Sequence, residues 1–326
     1  MADRLGALCS LLSAGPVAVQ THDYPDIDAV ASAWALAALL RMRGFDSSCV
    51  YRGEMRSRSL AGLVKRFDIR LSPAPDLEPG PQTIVVDGSP ANGNVTLGPG
   101  RLVGIIDHHI RTGDATAPFV DIRPESAACS AMLYGYWVEA GAQVPEEIAT
   151  PLLAGIQSDT DFLSRRCSDD DFAAYAALYK AGDWETASKI VRTVLDLREL
   201  GLVVSAIGKA VVRNGLLVAF TEGPCGQEAL AVLAELALRT EEISAAVAAQ
   251  RADDGTRFSL RSKSSEISAF GLVRSALAGL GSGGGHAHSA GGFIPARADP
   301  GEDALRGRFF RAAAEAAASR QEGSRG

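Results

Sequence analysis

Residues 16–44 read PVAVQTHDYPDIDAVASAWALAALLRMRG, and the order of textures in this stretch decides the fold class. Pro16 to Thr21 is a short apolar run with β-branched residues, the mark of a buried strand. HDYPDID follows as a polar turn, and AVASAWALAALLRMR is long and apolar enough for a buried helix that Gly44 closes. Strand, loop and helix then recur outward from it. Apolar runs at Ser48 to Tyr51, Thr83 to Val86 and Leu102 to Ile106 predict strands, the last two ending in Asp87 and Asp107, with a Pro-rich connection at 72–82. Helices are expected at about 126–140 and 145–158. Alternating β and α elements with β-branched strands give an α/β fold: a mostly parallel sheet flanked by helices on both faces, with ligands at the carboxyl ends of its strands.

Further along, Ser168 followed by Asp169, Asp170 and Asp171 has the composition of a capped helix start, and that helix should reach Gly182. Trp184 to about Lys209 reads as one long helix connecting two domains. The β/α texture then restarts with a β-run at Leu216 to Phe220, a helix at Gln227 to Thr240, a β-run at Ala245 to Gln250 and a strand at Arg257 to Arg261. The resulting division is a first α/β domain over 1–195, a helical linker over 196–213, a smaller α/β domain over 214–318 and a disordered tail over 319–326, behind an Ala-rich stretch from Arg311.

Composition narrows the function classes. With 326 residues, 47% apolar and 22% charged, the chain describes a compact protein with a sizeable core. Its 32 Lys and Arg against 39 Asp and Glu leave a net charge of −7, which gives no broad basic field for long duplex nucleic acid. The richest apolar stretch, Ala29 to Leu40, is too short to span a membrane and carries Ser32 and Trp34. Five scattered cysteines without a CxxC pair, and an amino terminus without a secretory pattern, point to a reducing cytoplasm.

The chemistry is concentrated in few places. All five histidines (His22, His108, His109, His286, His288) fall in three short polar segments rich in aspartate or glycine. HDYPDID at 22–28 offers His22, Asp26 and Asp28 on the turn leaving a strand, although Asp28 could equally cap the helix that follows. VVDG at 85–88, IIDHH at 105–109 and GIQSDTDF at 155–162 add Asp87, then Asp107, His108 and His109, then Asp159. Each aspartate alone is an ordinary turn residue. On one rim of a parallel sheet, however, so many carboxylates would repel unless cations neutralised them. Mixed Asp and His donors without thiolates suit two divalent ions, Mn²⁺ foremost, with Mg²⁺, Co²⁺ or Fe²⁺ as alternatives. Near the C-terminus, Gly283, Gly284 and Gly285 of SGGGHAHSAGG would let backbone N–H groups approach a phosphate or base, with His286, Arg261 and Ser262 as side-chain donors. The arginines at 52, 56 and 58 could steer phosphates or simply be solvated.

HDYPDIDA, VVDG, IIDHH and GIQSDTDF, in that order, resemble the four motifs of the DHH phosphoesterases, named for the triplet found here at 107–109. Arg261 and Ser262, followed by GSGGGHAHSAGG at 281–292, resemble the associated DHHA1 domain. Carried over residue by residue, the resemblance makes His22, Asp26 and Asp87 the ligands of one metal. Asp28, Asp87, His108 and Asp159 would hold the second, with Asp87 shared. Asp107 would orient a ligand imidazole, and His109 would face the scissile phosphate as the catalytic pair's second member. Two departures stand beside these matches: Ser158 and Asp161 replace a threonine and a glycine usual in the fourth motif, and Ile27 stands between ligand aspartates where glycine is frequent.

The resemblance implies hydrolysis of short oligoribonucleotides to 5′-mononucleotides, of 3′-phosphoadenosine 5′-phosphate (pAp) to AMP, or of both, by water activated at a two-metal centre. The expected partner is thus a short oligonucleotide or nucleotide, not long duplex nucleic acid or membrane, and a homodimer remains open. Cyclic or linear dinucleotide phosphodiesterase, pyrophosphatase or polyphosphatase, and a nucleotide sensor without turnover are the alternatives. All proposed ligands being present weighs against the sensor.

Overall fold

The computed structural model describes residues 3–55, 57–74, 81–110, 113–114, 116–165, 167–264, 266–285 and 287–323. It divides into two compact units, Met1–Thr193 and Val194–Gly326.

The first unit contains, in order, α1 (Arg4–Ser10), β1 (Val17–Gln20), α2 (Ile27–Met42), β2 (Ser47–Tyr51), α3 (Arg58–Arg66), β3 (Leu71–Pro73), β4 (Gln82–Val86), β5 (Arg101–Asp107), β6 (Phe119–Ile122), α4 (Cys129–Glu139), α5 (Glu146–Thr160), α6 (Asp169–Ala181) and α7 (Trp184–Arg192). Its six strands form an all-parallel sheet in the order β3-β2-β1-β4-β5-β6. The chain works outward from β1 to one edge, then returns to β4 and works to the other. The switch point between β1 and β4 is where such sheets open a crevice at their carboxyl ends.

Alternate strand residues divide the core. Val17, Val19, Ile84, Val86 and Ile106 join the large apolar cluster, which also takes buried apolar residues from each helix of this unit, among them Leu8, Leu36, Leu63, Leu133, Leu152, Leu178 and Ala187. Val85 and Ile105, on the opposite face, meet Val95 in a small cluster supported by Leu102, Ala117 and Ile122. Helices therefore cover one face and loop residues the other, in place of the helical cover expected on both. Helix α2 is buried nearly all round, as its unbroken apolar sequence demands, and packs on α4 and α5. Each fully buried Leu or Val here contributes about 1.5–3 kcal/mol of transfer free energy.

The second unit contains α8 (Leu197–Gly208), β7 (Val211–Arg213), β8 (Leu216–Thr221), α9 (Gln227–Leu238), β9 (Ala245–Ala252), β10 (Gly255–Ser262), α10 (Ala269–Leu277), β11 (Ser282–Gly285), β12 (Ser289–Pro295) and α11 (Glu302–Gly323). Its mixed sheet runs β11-β12-β10-β9-β8-β7, with only β8 and β9 parallel.

The single helix expected from Trp184 to Lys209 is two. It breaks at 193–196 because Asp196 opens α8 with a capping box, its side chain accepting from Glu199 N while the Glu199 side chain accepts from Asp196 N. Helix α8 buries Val203 and Ala206 in a cluster with Leu230 and Leu233 of α9, so it belongs to the second unit's core rather than to a linker. The tail assigned to 319–326 is helical through Gly323, and residues 324–326 lie outside the described residues.

Candidate metal centre

Four chain segments converge at the carboxyl ends of β1, β4 and β5. After β1, His22 is followed by Asp26, whose extended backbone and side chain cap α2 by accepting from Ala29 N at 3.0 Å. The capping role weighed for Asp28 thus belongs to Asp26. Asp28 lies in the first turn, fully buried, and its two oxygens accept from Cys129 N at 2.7 Å and Ser130 N at 2.9 Å at the start of α4. After β4, Asp87 turns into the left-handed region (φ 57°) while its N–H still donates to Ile106 O at 2.9 Å. Non-glycine residues tolerate that conformation at a cost of order 1 kcal/mol, and such strain is found preferentially at functional sites. Asp159 sits near the end of α5, where three residues in succession, Asp161, Phe162 and Leu163, also adopt positive φ. Asp161 therefore occupies a position that glycine would take without strain.

The donor atoms meet around Asp87. His108 Nε2 lies 3.2 Å from Asp87 Oδ1 and 3.4 Å from Asp159 Oδ2, and His22 Nε2 lies 3.8 Å from both Asp26 Oδ2 and Asp87 Oδ2. Three groupings can each surround a cation: His22, Asp26 and Asp87; Asp28, His108 and Asp159; and Asp87, His108 and His109. All six residues expected as ligands from the sequence are thereby brought together.

Asp107 stands differently from expectation. Its buried Oδ1 accepts from His109 Nδ1 at 2.8 Å and from His109 N at 3.1 Å, so the imidazole it orients is that of His109, not of an expected ligand. His108 is held instead through Nδ1 by the carbonyl of Ser126 at 3.3 Å. A carbonyl can only accept, so this contact places the proton on Nδ1 and leaves Nε2 as the nitrogen facing the carboxylates.

The electrostatics are those of buried carboxylates crowded against one another and against imidazoles. Burial, then the charge of Asp87, pushes the Asp28 carboxyl up to about 7. Burial, then Asp28, Asp26 and Asp87, raises Asp159 well above the carboxylate range. Burial opposes the charged form of His108, but Asp87, Asp28 and Asp107 outweigh it and lift the imidazole to about 10. His109 rises to about 9 because Asp107 and Asp87 overcome its burial. His22 is raised in the same way, with Asp26 and Asp87 overcoming burial.

Buried atoms without a hydrogen-bond partner test whether a cation fits. Among the described residues these include Asp87 Oδ1 and His108 Nε2, which lie close but out of line for a hydrogen bond. Buried polar atoms are almost always paired, and two orphans aimed at one point in an Asp and His donor set are what divalent cations would satisfy. The residues fit the group.

Sequence reasoning missed several residues bordering this centre. Ser126, Cys129 and Ser130 reach it through backbone atoms, which no side-chain pattern reveals. Arg165 donates from Nη1 to the carbonyl of Asp159 at 2.8 Å. In the second unit, Arg261 pairs with Glu235 at 3.0 Å and donates to the Leu260 carbonyl. Ser262 is buried, its hydroxyl donating to Ile267 O and accepting from Ser264 N, so it closes a loop instead of offering the donor expected of it. Gly283, Gly284 and Gly285 lie in the edge strand β11, paired with β12. His286 lies outside the described residues, as does Arg56.

The profile of the DHH family, N-terminal domain, matches residues 16–156, and that of the DHHA1 domain matches 213–316. An uncharacterized protein of Methanocaldococcus jannaschii is 29% identical over 283 residues, covering 86% of this chain and 58% of that protein. A probable manganese-dependent inorganic pyrophosphatase of Streptococcus mutans is 29% identical over 192 residues, covering 57% of this chain and 58% of that one. The chain thus spans 58% of the length of each of these relatives. Among solved structures, an exopolyphosphatase-related protein from Bacteroides fragilis has the same fold, with a TM-score of 0.76 at 15% identity, covering 95% of this chain and 96% of that one.

Proposed function

Because the chain belongs to the DHH family and carries a DHHA1 domain behind its DHH domain, we propose that it is a metal-dependent phosphoesterase acting on short nucleotides. Its preferred reactions are hydrolysis of short oligoribonucleotides to 5′-mononucleotides and of pAp to AMP. The observation that carries this reading is the convergence of Asp26, Asp28, Asp87, Asp159, His22 and His108 at the sheet's switch point, with Asp87 central.

His22, Asp26 and Asp87 would hold one cation, and Asp28, Asp87, His108 and Asp159 the other. Bound divalent ions, with Mn²⁺ favoured by the donor set and by the manganese dependence named for the pyrophosphatase relative, would supply Lewis acidity and an activated water. The protein's own groups do the rest. Asp107 holds His109 through Nδ1, and its carboxylate favours the protonated imidazole, from which His109 can donate to a phosphate oxygen as negative charge accumulates there. The Ser126 carbonyl holds His108 in the tautomer that turns Nε2 to the cations. In the second unit, taken by itself, Arg261 and the glycines of β11 are the proposed nucleotide-binding groups.

The pyrophosphatase relative gives a second reading: hydrolysis of a phosphoric anhydride at the same centre. One assay separates the two. Mn²⁺-dependent turnover of a 5′-phosphorylated RNA dinucleotide, pAp, linear and cyclic dinucleotides and pyrophosphate is measured in parallel, with Asp87→Ala as control. Release of mononucleotides or AMP by wild type alone supports the nucleotide reading. Turnover of pyrophosphate only replaces it with the anhydride reading, and undiminished activity in Asp87→Ala refutes the assignment of that residue.

A further inference from the structure

Asp171 lies outside every motif of the site, yet it is fully buried and gathers four donors. Its carboxylate accepts from Ser168 N at 2.8 Å and Ser168 Oγ at 2.7 Å, which belongs to the capping of α6. It also accepts from Ser126 Oγ at 2.8 Å and Ala127 N at 2.9 Å, in a segment 45 and 44 residues earlier. A capping box does not require those two contacts. The segment they hold, 126–130, touches two of the proposed metal ligands through its backbone. The Ser126 carbonyl accepts from His108 Nδ1 at 3.3 Å, and the N–H groups of Cys129 and Ser130 donate to the two oxygens of Asp28 at 2.7 and 2.9 Å.

We propose that Asp171 is a positioning residue for the metal centre: by fixing segment 126–130 it sets the tautomer and direction of His108 and the orientation of Asp28 together. The inference rests on the metal-centre reading above. A backbone segment can orient two ligands at once only if it is itself immobile, and a buried carboxylate accepting four hydrogen bonds supplies that immobility. Groups that hold metal ligands through hydrogen bonds typically matter about 10–100-fold in metal affinity.

The test is Mn²⁺ titration calorimetry on the full chain, comparing wild type with Asp171→Ala, Asp171→Asn and Ser168→Ala. Asp171→Ala is expected to weaken Mn²⁺ binding about 10–100-fold. Ser168→Ala also damages the α6 cap and lowers thermal stability, but it leaves the contacts to Ser126 and Ala127 in place and should bind Mn²⁺ as wild type does. Asp171→Asn should restore most of the affinity, because its amide oxygen can accept from Ala127 and Ser168 while its NH₂ donates to Ser126 Oγ. Folded Asp171→Ala that binds Mn²⁺ with wild-type affinity overturns the inference and leaves the metal reading standing. Equal weakening in Ser168→Ala also overturns it, since the effect is then that of a damaged helix start. Should Asp171→Ala not fold, Ser126→Ala removes one of the two reaching contacts with the cap intact, and unchanged Mn²⁺ affinity there counts against the inference equally. A wild-type chain that binds no Mn²⁺ overturns the metal reading itself.

Discussion

Single residues at the centre are constrained by space as much as by charge. Gly155 stands one helical turn before Asp159 on α5, and a Cβ there would lie 2.2 Å from Ser130 Oγ and 2.7 Å from Asp28 Oδ1. Gly155→Ala should therefore displace Asp28 or shift α5 with Asp159. An overpacking cost of about 1–3 kcal/mol is expected in urea unfolding, together with loss of one of two Mn²⁺ equivalents in equilibrium dialysis. Wild-type stability and stoichiometry in that variant would show that the contact yields freely. Charge makes a separate demand. Without metal, Asp28 titrates at about 7, above its unfolded value near 4, so the folded state keeps a proton the unfolded chain has released and stability falls as pH rises across that window. His109, raised to about 9, contributes stability that is complete below its unfolded pKa near 6.5 and lost as pH rises through 9. Both slopes have the same sign, so thermal melts in EDTA should move down from pH 5 to pH 9.5. A melting temperature that is flat or rises over that range contradicts the electrostatic account. The ligand residues were legible because Asp and His are conspicuous in short polar motifs beside apolar strands. Asp171 was legible only as an acidic residue in a helix's first turn, since its contacts with Ser126 and Ala127 cross 45 and 44 residues of chain and involve a backbone group.

Elements carried much of the fold in local pattern. Strands β1, β4 and β5 were readable from β-branched runs ending in polar residues, and α6 from its capping box, because those signals are confined to a few neighbouring residues. The break before α8 was also written locally, as Asp196 and Glu199 three residues apart, but apolar residues on both sides disguised it. Helices α1, α3 and α10 went unread: α1 spans only seven residues and α3 is rich in arginine. The glycines of β11 and β12 show how one composition serves two demands. A Cβ on Gly283 would meet Val273 Cγ2 at 2.7 Å and one on Gly292 would meet it at 2.8 Å, so α10 lies too close to this part of the sheet for side chains. A Cβ on Gly284 would have nothing within 4 Å and would face open space. Gly283→Ala should thus lose about 1–3 kcal/mol of stability in chemical unfolding, and Gly284→Ala should be close to neutral. If Gly284→Ala instead weakens binding of a mononucleotide while stability holds, that glycine serves the ligand; equal destabilisation by both variants would contradict the packing argument.

At the scale of the molecule, the two units have separate cores. The first is built on the parallel sheet and α1–α7, and the second has apolar clusters on the two faces of its mixed sheet, one around Val247, Phe258 and Phe309 and one around Leu230 and Ala246. Every residue proposed to ligate metal lies in the first unit, so Mn²⁺ should act on the stability of that unit specifically. A ligand that binds only the folded state stabilises it by RT ln(1 + [L]/Kd), about 2.7 kcal/mol at a hundredfold excess over Kd. Differential scanning calorimetry of the full chain is therefore expected to resolve two transitions, of which Mn²⁺ raises one and leaves the other in place. EDTA should reverse the shift, and Asp87→Ala should abolish it without moving the second transition. A nucleotide held by Arg261 and the β11 glycines would move that second transition instead, which distinguishes the two units' contributions without requiring turnover. Equal Mn²⁺ shifts of both transitions, or one indivisible transition, would mean that the units unfold as one cooperative body and that metal affinity is a property of the whole chain.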